Sequence, residues 1–113
     1  MIGIMGKKIY NKLVRDKIPE IIKASGKKAA VSVFDEAGFR IALKQKLLEE
    51  AQEVVGAPDD ELMDELADVM QLVESIAQEY QIEVSEIEKH KAEKARQRGA
   101  FEKHLRLDGV DEL

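Results

Sequence analysis

The chain has no cysteine, no tryptophan, only two prolines, and just three Phe and two Tyr among its 113 residues. Without cysteine there is neither a disulfide staple nor a thiolate metal site, so carboxylates are the obvious ligands for any ion, and oxygen ligands select a hard cation. The shortage of aromatics leaves a core of Leu, Ile, Val and Ala, which favours helices packed on helices. No apolar run reaches membrane length, and the opening Met1 to Lys8 is too short for a secretory core or a span. The expectation is a cytoplasmic protein with no membrane partner. A net charge of -5 argues weakly against a duplex nucleic-acid partner, although 18 Lys and Arg leave room for a local basic patch.

At this length the whole chain, 1–113, reads as one domain, small enough that oligomerisation would usefully bury more surface. No internal repeat, low-complexity tract or linker interrupts it. The stretch from Tyr10 to Gly26 reads as an extended entry and a short helix over Lys17 to Ala24, with Pro19 setting its first turn and Gly26 closing it. Lys28 to Phe34 partly alternates and predicts a short strand before Asp35 caps the next helix. A long helix follows over Glu36 to Val55, then a turn at Gly56 to Asp60, and a second helix from Asp59 to Tyr80. The short connection makes these two antiparallel neighbours. A third helix is expected over Val84 to Lys103, with Leu105 to Leu107 pairing as a strand beside Val33 and a frayed end from Asp108 to Leu113. The predicted fold is an all-α antiparallel helical bundle with a short two-stranded β element, in a chain that oligomerises.

Two acidic pairs break the apolar pattern of the long helices. At about 100° per residue, Phe39, Leu43, Leu47, Ala51 and Val54 form one inward stripe, and Glu50 falls inside it with Glu53 at the margin. On the next helix Leu62, Leu66, Val69, Leu72, Val73 and Ile76 form the stripe, with Glu65 inside and Asp68 at the margin. Acids at helical spacing are ordinarily solvated surface residues. Two pairs on apolar faces across a tight turn argue otherwise, because a core-facing carboxylate must find a compensating charge or take up a proton. Four carboxylates on facing helices suit Mg²⁺, whose chemistry is usually that of phosphates. Glu49 adjoins the group closely enough to orient or deprotonate a water, whereas Glu61 and Asp64 read as surface.

The run Leu48-Glu-Glu-Ala-Gln-Glu-Val54 followed by Asp64-Glu-Leu-Ala-Asp-Val69 resembles the E-E-x-x-E then E-x-x-D signature of the MazG-like, all-α nucleoside triphosphate pyrophosphohydrolases. Tyr10 to Pro19, and Lys91 to Phe101 ending Arg98-Gly-Ala-Phe, are similar to the small house-cleaning branch and its phosphoribosyl-ATP pyrophosphohydrolase-like relatives. Gly99-Ala100 departs from the glycine pair often found there. The resemblance covers nearly the whole chain. It implies Mg²⁺, with Mn²⁺ as a substitute, held by Glu50, Glu53, Glu65 and Asp68, with Glu49 matching the first acid of the motif. It also implies cleavage of a nucleoside triphosphate, ordinary or modified, between its α and β phosphates.

Such a substrate needs cations beyond the metal. Lys91, Lys94 and Arg98 recur at helical spacing with Ile87 and Phe101, and Lys12 and Arg15 flank Leu13 and Val14 near the N-terminus. Both sets are candidate phosphate contacts, and both also read as solvated charge. His90 and His104 read as surface imidazoles, Met63 and Met70 as helix-packing residues, and Phe34, Phe39 and Phe101 as core anchors. Two alternatives stand beside the hydrolase: phosphoribosyl-ATP hydrolysis by the same chemistry, and a non-catalytic helical interaction module whose acids form intersubunit salt bridges.

Overall fold

The computed structural model describes residues 8–112; residues 1–7 and 113 lie outside it, including most of the opening Met1 to Lys8 segment and the last residue of the expected frayed end. The described chain is all-helical: α1 Ile18–Ala24, α2 Glu36–Gly56, α3 Leu62–Glu79 and α4 Val84–Arg98, with a 3-10 turn Asp59–Glu61 leading into α3. No helix among the described residues is long and apolar enough to cross a membrane.

Local chemistry sets the ends of these helices. Pro19 occupies the first turn of α1. Gly26, at φ +86°, closes it by donating to the Lys23 carbonyl at 3.0 Å while the Lys27 N–H donates to Ile22. The Asp35 carboxylate accepts the Gly38 N–H at 2.7 Å and caps α2 as its sequence predicts. A Cβ on Gly38 would sit 2.8 Å from that same oxygen, which accounts for glycine inside the first turn. At the end of α3 the Ile82 N–H reaches the Ala77 carbonyl at 2.8 Å and the Gln81 N–H reaches Gln78 at 3.1 Å. This is the same closure without glycine, Gln81 taking φ +56°.

Two expected features are different in the structure. The helix predicted to reach Lys103 stops at Arg98, because Gly99 turns to φ +77°. No strand occurs among the described residues, and both 28–34 and 105–107 are unpaired. A ribbon of two such short segments has too little ladder to hold itself without a covering layer, and α4 gives it none.

Packing is confined to one hairpin. α2 and α3 lie antiparallel, Arg40 meeting Glu79 at 3.4 Å at the open end while Glu50 neighbours Glu65 toward the turn. The Arg40 guanidinium and the Lys44 ammonium each lie 4.7 Å from the Tyr80 ring centroid and pin that open end by cation–π attraction. Between the helices only Ala42, Leu43, Leu72 and Ala77 are buried. Leu66 and Val73, predicted to face inward, are exposed, and so are Met63, Met70 and Phe101. A two-helix layer buries one stripe per helix, and nothing among the described residues covers a second. α4 makes no extensive packing against α2 or α3 and buries no residue. Its local support is surface pairing such as Glu88 with Lys91, which stabilises little. The radius of gyration, 19.6 Å, compares with about 13 Å for a folded monomer of this length.

Candidate metal centre

Three of the four predicted ligands meet. Glu50 on α2 and Glu65 and Asp68 on α3 each present a carboxylate oxygen, and these atoms lie within 4.8 Å of one another. The helical spacing explains it: Glu65 and Asp68 are three residues apart and share the face of α3 that looks at α2, and the short turn brings Glu50 opposite. The Glu50 side chain is 15% exposed and that of Asp68 33%. Oxygen atoms coordinating one small divalent ion lie about 3 to 4 Å from each other, so a modest closure of side-chain torsions would let all three share it. The donor set therefore fits a hard cation.

Burial and neighbouring charge both bear on Glu65. Its carboxyl is raised above the ordinary glutamate range, first by partial desolvation, then by the negative charges of Glu53, Glu50 and Asp68, with a hydrogen bond to Glu50 adding to the effect. In that pH range the folded chain holds a proton that the unfolded chain has released. Without metal, stability should therefore be fully present below the ordinary glutamate range and be lost as pH rises through the raised value. Denaturation midpoints measured in chelator from about pH 4 to 7 should show this loss for the wild type and much less of it for Glu65→Gln. Parallel pH profiles for the two proteins would contradict it.

Glu53 lies near enough to act on Glu65 but stands outside the close trio. It lines, with Glu49, Glu61, Glu65, Lys12 and the turn residues Ala57 and Pro58, an open cleft of about 430 Å³. Glu49 thus sits on the cleft wall next to the acids. Glu61, read from sequence as surface, also reaches the cleft.

The basic candidates divide. Arg15 Nη2 donates to Asp68 Oδ1 at 2.7 Å, which carries the N-terminal segment across the hairpin to the acids, and Lys12 lines the cleft. Lys91, Lys94 and Arg98 lie on α4, which the single chain holds apart from α2 and α3. Sequence reading did not single out Lys46, whose Nζ is 3.9 Å from Glu50 Oε1. The signal was present in the four-residue spacing of Lys46 and Glu50, which puts them on one helix face. No protein-family model, curated protein or solved structure matches this chain.

Proposed function

We propose that the chain is a Mg²⁺-dependent nucleoside triphosphate pyrophosphohydrolase of the MazG-like kind, acting as a homo-oligomer and releasing a nucleoside monophosphate and pyrophosphate. The observation that carries this reading is the convergence of Glu50, Glu65 and Asp68 from two helices, beside an open cleft lined by further acids and Lys12. When bound, Mg²⁺ or Mn²⁺ supplies charge neutralisation for a polyphosphate and acidifies water.

Glu50, Glu65 and Asp68 would hold the ion, with Glu53 as a further acid on the adjoining cleft. Glu49, on the cleft wall, accepts the proton of the attacking water at its carboxylate oxygen. Attack at the α-phosphorus breaks the bond to the bridging oxygen, and pyrophosphate leaves with that electron pair. Lys12 and Arg15 balance charge on the phosphates. The cations of α4, Lys91, Lys94 and Arg98, join them once assembly gives α4 a surface to lie on.

Exposure supports assembly. The accessible surface is 10728 Å², against roughly 6,200 Å² for a folded monomer of this mass. Met63, Leu66, Met70 and Val73 form an exposed stripe along α3 at steps of three and four, and Ile41, Leu48 and Val55 form another along α2 at steps of seven. α4, at 15 residues, is near the length below which an isolated helix is marginal in water.

Incubation with Mg²⁺ and a panel of nucleoside triphosphates and phosphoribosyl-ATP tests the reading. Monophosphate and pyrophosphate, abolished by chelator and restored by Mg²⁺, are expected. Diphosphate and phosphate would place the cut elsewhere. No turnover of any member of the panel would favour the interaction module, which the exposed stripes also suit.

A further inference from the structure

We propose that Arg15 is a counter-ion for the metal centre, competing with the metal for Asp68 and passing to the substrate's phosphates as the ion loads. This rests on the reading of the acids as a metal site and adds a coupling between metal and substrate. Arg15 and Asp68 are 53 residues apart, so their 2.7 Å contact is a tertiary placement of the N-terminal segment. Asp68 is also one of the three carboxylates whose oxygens converge.

A guanidinium at that carboxylate does for the metal-free site part of what a cation would do: it lowers the repulsion among clustered acids. A divalent ion bound by Asp68 would take over the carboxylate oxygen that Arg15 now holds and cancel two of the cluster's negative charges, so the attraction that keeps Arg15 there falls. Arg15, displaced from that oxygen by competition, is then free to pair with the phosphates of a bound substrate. The geometry permits the exchange. The Arg15 side chain is 55% exposed, so it can rotate without leaving a buried position, and Lys12, three residues earlier, already lines the adjoining cleft. Guanidinium suits both partners, since its fork of donors binds carboxylate and phosphate alike.

The test measures Mn²⁺ binding by electron paramagnetic resonance in the full chain without nucleotide, then binding of inorganic tripolyphosphate to the Mn²⁺-loaded protein. For Arg15→Gln, Mn²⁺ alone should bind about 3- to 5-fold tighter than to wild type, the scale of one exposed ion pair lost as a competitor. Tripolyphosphate should bind the loaded variant about 10-fold more weakly, as for a lost charge-assisted contact. Arg15→Lys, which keeps the charge, should retain most of the competition. Equal or weaker Mn²⁺ binding by Arg15→Gln, with wild type binding normally, overturns the exchange and leaves the metal site standing. No Mn²⁺ binding by the wild type overturns both.

Discussion

Glu50→Gln and Glu65→Gln should each abolish Mg²⁺-dependent turnover while leaving the helical signal intact. The loss should be at least about 100-fold, since even groups one step behind a metal's ligands cost 10- to 100-fold when removed. Gln keeps the length and shape of Glu and removes only the charge, so the experiment isolates electrostatics from packing. Glu50, at 15% exposure, faces α3, and a neutral amide there should bind metal poorly. The metal-free variants should be at least as stable as wild type, because each removes one charge from a group whose members raise the pKa of Glu65. Loss of activity together with unfolding would therefore count against the assignment, and near-normal turnover in both variants would remove these residues from the reaction.

The second large effect concerns assembly. In sedimentation the wild type should run as a dimer or larger, and Leu66→Glu with Met70→Glu should abolish that species together with most of the cooperative unfolding transition. Burying the seven side chains of the two exposed stripes is worth at most about 10 to 20 kcal/mol, taking 1.5 to 3 each. Association costs about 4 to 15 kcal/mol, so one stripe alone is marginal and two suffice. Placing two carboxylates on the α3 stripe removes half of its apolar side chains and adds charges with no partner there. A wild type that sediments as a monomer and unfolds cooperatively would contradict this.

Much of the hairpin was legible from residue order. The cap at Asp35, the closure at Gly26, the turn before α3, and the meeting of Glu50 with Glu65 and Asp68 all follow from local chemistry and helical spacing. What was not legible depends on which faces find partners. The apolar spacing that put Leu66 and Val73 inward is correct as a pattern. Periodicity marks an apolar face, however, and does not say whether the chain's own helices or another surface will cover it. Likewise Val31 and Val33 have strand-like alternation, but a strand requires a neighbour, and none lies beside them. The contact of Arg15 with Asp68 spans 53 residues and leaves no local signal. The stop at Gly99 was masked by the helical spacing of Ile87, Lys91, Lys94, Arg98 and Phe101, which runs past it, although a glycine at that point is itself a helix stop.

The most direct measurement of the central claim is the fate of isotopic oxygen. Hydrolysis in water enriched in heavy oxygen, with Mg²⁺ present, should deliver the label to the nucleoside monophosphate and leave the pyrophosphate unlabelled, because in the proposed reaction the water attacks the α-phosphorus. Label confined to the pyrophosphate would place the attack at the β-phosphorus and contradict the proposed mechanism.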